Sequence, residues 1–269
     1  MDYSDLYEGP DHEYLCYPLN YCKNFTLLMR LCYNEKRKVS FEEIKNYVEN
    51  HLEEINRQND LGFTASILVI SHNRKDAYEI VKLLLEKGAN PNLETKHQST
   101  ALIFASNLQD YNHKLVKLLL NYGACPNHKN TFGQVPLFGL SYPRSNIKSI
   151  KLLLKRGANP NIQNYNGNSC LTIIQKYCPS YRTTKILLDY GANPQLKNND
   201  GETALKIVHR NGPIHRETIK LLRKHNLKKL NIKNRQLKKK NNLLREMLNL
   251  YEEGPHILEL MKSVLDHKY

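Results

Sequence analysis

Six cysteines, eleven histidines and one dense block of cations are where chemistry could reside in this 269-residue chain. A structural zinc needs four clustered ligands in tetrahedral array. Cys16, Cys22, Cys32, Cys125, Cys170 and Cys178 form no C-x-x-C pair, and the histidines supply no complementary spacing. Acid–base catalysis needs carboxylates that face one another. Glu42-Glu43 and Glu53-Glu54 are adjacent in sequence, so on a helix they point apart. The P-loop, H-E-x-x-H and G-x-S-x-G patterns are absent from the sequence. The expectation is a chain that is not an enzyme and has no catalytic residue, metal or cofactor.

Charge is the other resource. The net charge is +14, and Arg223 to Arg245 holds ten Lys or Arg and no carboxylate. Residues 2–13 are the reverse, with Asp2, Asp5, Glu8, Asp11 and Glu13 and no cation. Blocks of one sign are solvated faces or interaction surfaces. The opening Met1-Asp2-Tyr3-Ser4-Asp5 lacks the basic and apolar regions of a secretory leader. No apolar stretch approaches the ~20 residues of a membrane span. The compartment expected is intracellular, cytoplasmic or nuclear, with reduced thiols and no membrane.

The elements that position these groups recur. Gly88-Ala89-Asn90-Pro91-Asn92 returns as Gly123-Ala124-Cys125-Pro126-Asn127, Gly157-Ala158-Asn159-Pro160-Asn161 and Gly191-Ala192-Asn193-Pro194-Gln195, with starts 35, 34 and 34 residues apart. Such a period marks a stack of units that each bury a face against the next. Within one unit, Thr100 to Ser106 predicts a short first helix of small and apolar residues, N-capped by Thr100. Leu115, Val116, Leu118 and Leu119 lie on one face of a second helix. Gly123 supplies the left-handed C-cap, and Pro126 cannot continue the helix. Asn127 to Gly133 is polar and turn-forming, which predicts a hairpin between units. Equivalent first helices start at Thr64-Ala65, Val135-Pro136, Ser169-Cys170 and Thr203-Ala204. A weaker copy, Phe25 to Met29 followed by Phe41 to Val48, precedes them as an N-terminal cap.

Thr-Ala-Leu, a Leu-rich second helix, Gly-Ala-Asn-Pro-Asn and an Asn-x-x-Gly hairpin together resemble the ankyrin repeat, over roughly Phe25 to Asn226. The Asn- and Lys-rich style is similar to the ankyrin families of giant DNA viruses. The resemblance implies an all-α solenoid of about six helix pairs joined by short β-hairpins, which binds proteins and does no catalysis. The expected units are a capping unit at 25–56, then 57–92, 93–127, 128–161, 162–195 and 196–226. An acidic segment (1–24) precedes them and a basic helical extension (227–269) follows. Three positions depart from the pattern. Ser66 stands where other units have Leu102, Leu137, Leu171 and Leu205, Gln98 stands where hairpins have glycine, and Pro136 sits in a first helical turn that tolerates it.

In proteins of this kind, hairpin tips and the concave face of the first helices make the contacts. Carried over by position, the candidates here are Asp60, Leu61 and Phe63; Lys96, His97 and Ser99; Thr131, Phe132 and Gln134; Tyr165, Asn166 and Asn168; and Asn199, Asp200 and Glu202. Phe63, Phe132 and Tyr165 stand out because an aromatic ring on a projecting turn is a natural anchor. Otherwise each ring folds back on the neighbouring hairpin.

In the basic extension, Leu230, Leu237, Leu244 and Tyr251 are seven apart, with Leu227, Asn234, Asn241 and Leu248 three earlier. That is a coiled-coil seam of about three and a half heptads. Lys233, Lys238, Lys240 and Arg245 flank it and oppose self-pairing, so a monomer is expected. Three roles remain for this helix: a cap on the last repeat, a partner for an acidic helix, or a polyanion site that also uses Lys239. A final repeat needs a polar outer face, so capping is the expectation. Ten cations could also engage nucleic-acid phosphates, although no aromatic platform for bases accompanies them. A third functional reading, delivery of a client to a ubiquitin ligase, lacks a recognisable ligase-binding box in Leu250 to Tyr269. The favoured reading is a scaffold for a protein partner whose identity the sequence does not give.

Overall fold

The computed structural model describes residues 23–33, 39–108, 112–140, 147–212 and 215–251, of which the side chains of 112, 228–230 and 247–251 lie outside the description. The acidic segment before residue 23 and residues 252–269 of the basic extension fall outside it as well. The described residues form twelve α-helices and three isolated antiparallel bridges. They pair as α1 (Leu27–Tyr33) with α2 (Phe41–Asn50), α3 (Ala65–Ser71) with α4 (Ala77–Glu86), and α5 (Ala101–Asn107) with α6 (Asn112–Asn121). Next come α7 (Pro136–Gly139) with α8 (Ile147–Lys155), α9 (Cys170–Tyr177) with α10 (Tyr181–Asp189), and α11 (Ala204–Arg210) with α12 (Arg216–Tyr251).

First helices pack on first helices in series from α1 through α11, and second helices do so from α2 to α8. Small residues allow this closeness: Ala65, Ala101, Cys170 and Ala204 open four first helices and are all buried. Leu84, Leu119, Leu153 and Leu187 are completely covered in the second helices. Burying a leucine side chain contributes roughly 1.5–3 kcal/mol, so these rows hold the layers together.

The Gly-Ala pair has a mechanical explanation. Gly88, Gly123, Gly157 and Gly191 have φ between 83° and 96°. The following Ala89, Ala124, Ala158 and Ala192 donate their N–H groups to Leu84, Leu119, Leu153 and Leu187 at 2.8–3.0 Å. Each glycine donates to the carbonyl three residues back, which completes a Schellman stop. The closing asparagine then clasps the next unit. Asn92 donates to Gly123 O at 2.9 Å and accepts from Cys125 N at 2.8 Å. Asn56, Asn127 and Asn161 repeat that pair of bonds to the Gly88, Gly157 and Gly191 loops.

Ser40 and Glu43 form a capping box on α2, and Thr64, Ser169 and Thr203 cap their helices through side-chain oxygens. Thr100 sits at its N-cap position, but its hydroxyl makes no cap bond and is buried without a partner. Ser66, the shortened core position, is 5% exposed with its hydroxyl likewise unpartnered. The first unit is tied in by Arg74, which donates to the carbonyls of Leu31, Cys32 and Val39 and grips Asp76 through two bonds of 2.8–2.9 Å. Glu54 accepts from Leu28 N and the Tyr47 hydroxyl, both at 3.0 Å. Burial pushes the Cys32 thiol up to about 12, which makes it an inert core residue.

Two compact units are distinguished, Met1–Ile219 and Lys220–Tyr269. α12 is one helix of 36 residues, so the boundary drawn at Asn226 falls inside it rather than at a break.

Candidate partner-binding surface

Each hairpin is built around one polar anchor residue, buried in every case but the half-buried Asn164. Asn59, Asn130 and Asn164 accept through Oδ1 from the N–H groups two and four residues ahead, at 2.9–3.1 Å. Asn198 does so from Glu202, and Thr95 uses its hydroxyl on Ser99 N. The backbone of the same residue pairs with the residue four on, which closes the turn in all five hairpins. Hairpins are also laced to one another. Lys96 N donates to Leu61 O, Thr131 N to His97 O and Asn199 N to Asn166 O, at 2.9–3.0 Å.

Glycine at the turn is favoured by the positive φ and, at Gly62 and Gly167, by the close approach of the next hairpin. At Gly167 (φ +71) a Cβ would lie 2.5 Å from Asn199 Oδ1 and 2.7 Å from Asn199 N. Gln98 adopts φ 58° in the glycine place and still makes the standard turn bond to Thr95 O, so this turn keeps its form despite the substitution.

The candidate residues separate by burial. Lys96, Tyr165, Asn166, Asn199 and Asp200 are exposed, while Asp60, Leu61, His97, Thr131, Phe132, Gln134 and Asn168 are half-buried. Phe63, Ser99 and Glu202 are buried, contrary to the expectation that they project. Phe63 packs against Phe104 at 5.9 Å between ring centroids. Ser99 Oγ accepts from Asn130 Nδ2 of the next hairpin at 3.0 Å, and Glu202 holds Arg210 at 2.8 Å. All three occupy the position four residues after the buried anchor, where the strand turns inward to start the helix.

Of the three aromatics, one remains a free-standing anchor. Phe132 lies over His97 of the preceding hairpin at 5.4 Å, as a ring that folds back would. Tyr165 is 64% exposed, with the Lys129 ammonium 5.6 Å from its ring centroid. The first helices offer less than expected. Ala65–Ile70, Ala101–Ser106 and Cys170–Gln175 are buried without interruption, so these first helices leave few side chains for a partner.

A further feature lies on the opposite layer. Between α8 and α10 a groove of about 650 Å³ is lined by Ile147, Lys151, Lys155, Tyr181, Arg182 and Lys185, among others. The sequence signal for it is the i,i+4 pair Lys151/Lys155 together with Arg182 and Lys185. Among the described residues no three His, Cys, Asp or Glu gather as metal ligands would, and no helix is long and apolar enough to cross a membrane.

A family model for ankyrin repeats, three copies long, matches residues 28–130 and 137–235. The chain belongs to the ankyrin repeat family. Three ankyrin repeat proteins of Acanthamoeba polyphaga mimivirus are similar to it. One is 38% identical over 86 residues, 30% of this chain and 16% of its own length. The others are 34% identical over 97 residues (35% and 16%) and 38% over 87 residues (31% and 10%). The matches thus span a sixth or less of these relatives. An ankyrin repeat domain from Acinetobacter baumannii superimposes with a TM-score of 0.61 at 23% identity, covering 74% of this chain and 96% of its own, which supports the ankyrin fold.

The ankyrin units also account for the basic extension only in part. Lys233, Lys238, Lys239, Lys240 and Arg245 are exposed along α12. On the same helix Leu237 is 47% exposed and Leu244 half-buried. The side chain of Leu230 is outside the described residues.

Proposed function

We propose that this chain is a non-enzymatic ankyrin scaffold that holds a protein partner across its hairpin tips, centred on Tyr165. The observation that carries this reading is a large ring left 64% exposed on a turn whose backbone is bonded within and across units. A rigid platform loses little conformational freedom on binding, so modest contacts at Lys96, Tyr165, Asn199 and Asp200 can sum to useful affinity. Tyrosine suits such a centre because its ring supplies apolar area and its hydroxyl a polar contact. The viral relatives support placing the protein inside an infected host cell.

The test is quantitative affinity capture from an Acanthamoeba extract with the full chain and with a Tyr165→Ala, Asp200→Ala variant. Partners recovered specifically by the wild type should fall several-fold in the variant while Tm stays unchanged. Identical recovery by both proteins would refute the tip-centred reading.

A further inference from the structure

α12 carries a second, independent surface. Residues 231–243 of this helix are exposed without exception. Leu227 (60% exposed) and Leu237 (47%) lie on the seam, whereas Ile232 (48%) and Leu243 (42%) lie off it, although a solvated helix gains nothing from large apolar side chains at such positions. Set on heptads beginning at Leu227, the a positions with described side chains are Leu227, Asn234 and Asn241, and the d positions Leu237 and Leu244. Lys233 and Lys240 stand at g, and Lys238 and Arg245 at e, so from residue 233 to 245 every flank of the seam is a cation.

Three occupants from outside the chain could cover this seam. A second copy of α12 would set Lys233 against Lys238 and Lys240 against Arg245 if parallel, and cations against themselves if antiparallel. A nucleic acid would satisfy the charge but leave Leu237 wet, and no Phe, Tyr or Trp lies between Arg216 and Leu250 to stack on a base. A helix from another protein with acidic flanks meets both requirements at once, apolar cover and opposite charge.

We propose that α12 is one strand of a heterotypic coiled coil and that its partner is an acidic amphipathic helix. The partner carries leucine-type residues at the seam, Glu or Asp opposite Lys233, Lys238, Lys240 and Arg245, and polar residues opposite Asn234 and Asn241. Asparagine at a positions fixes register and favours two strands, which excludes most merely acidic helices. The chain thereby has two binding surfaces, the tips and α12, and the second does not depend on the first.

The full chain is titrated with a fluorescein-labelled synthetic helix of about three heptads bearing Leu at d, Asn at two a positions and Glu at e and g. A scrambled peptide of the same composition and a DNA duplex serve as alternatives, and anisotropy is read at physiological salt. The heptad peptide should bind one to one with a gain in helix signal, and the scrambled peptide at least about tenfold more weakly. Leu237→Ser should weaken it by about tenfold or more while leaving Tm unchanged, because the side chain is already exposed in the free protein. Lys233→Glu with Lys238→Glu should abolish binding and create affinity for the peptide with Lys at e and g. Equal binding of heptad and scrambled peptides, or no effect of Leu237→Ser, would reduce the surface to charge alone and overturn the proposal. Tighter binding of the duplex, self-association of the chain, or a fall in repeat stability in Leu237→Ser would overturn it in favour of nucleic acid, a homodimer or a cap.

Discussion

Alanine at Gly167 and, separately, at Gly201 distinguishes the cost of a turn from the cost of the stack. Both glycines have nearly the same backbone, with φ of 71° and 70°. A residue with a Cβ in that left-handed region costs about 1–2 kcal/mol wherever it stands. At Gly201 nothing lies within 4 Å of the added atom, so the cost ends there. At Gly167 the new carbon would sit 2.5 Å from Asn199 Oδ1 and 2.7 Å from Asn199 N, in a residue whose Nδ2 and N donate to Tyr165 O and Asn166 O. The next hairpin must therefore shift, and overpacking of this kind adds about 1–3 kcal/mol. Gly201→Ala should lose about 1–2 kcal/mol in urea unfolding and Gly167→Ala about 2–5 kcal/mol. Amide exchange should accelerate in residues 164–168 and 198–202 of the Gly167→Ala protein, and in residues 198–202 but not 164–168 of the Gly201→Ala protein. Equal losses for the two variants would show that the hairpins are independent turns and not a laced row.

Asn92→Ala and Asn161→Ala, each removing two bonds to the next unit, should destabilise by about 1–3 kcal/mol, whereas Gln195→Ala, at the end of that row, should be near neutral by the same urea assay. Ser66→Ala should raise stability by about 1 kcal/mol by removing an unpartnered buried hydroxyl, and a loss would mean that the hydroxyl is satisfied in solution. The bond from Arg74 holds the Asp76 carboxyl below its ordinary value of 3.8. Burial pushes Glu54 upward, but bonds from Leu28 N, Thr26 and Tyr47 outweigh it and bring the carboxyl below 4.5. Both groups stabilise the fold when ionised, a contribution complete above the ordinary carboxylate values and lost as pH falls through the depressed ones. Hydrogen exchange should therefore show α1 and α2 opening below roughly pH 4 before the central units; opening of α5 and α6 first would contradict this.

The repeat frame was legible because period, Gly-Ala stop and leucine rows each carry a local physical signature. The inward or outward sense of single hairpin residues was not. Phe63, Ser99 and Tyr165 read alike as turn-flanking positions, and only the inter-hairpin bonds decide that Ser99 faces Asn130 while Tyr165 stands clear. The clasp made by Asn56, Asn92, Asn127 and Asn161 reads in sequence as the polar end of a turn. Its meaning lies in atoms about 30 residues away, which no local pattern reports. Along α12 the heptad was visible in sequence, whereas the exposure of Leu237 depends on what surrounds it in space.

Site-specific photo-crosslinking tests the central claim most directly. A benzophenone amino acid placed at Tyr165, at Lys82 on the exposed face of α4, or at Asn242 on α12 is irradiated in Acanthamoeba extract. The tip-centred scaffold predicts a discrete crosslinked protein from position 165 that is lost with Asp200→Ala, and none from position 82. A crosslink from position 82 with none from position 165 would contradict it.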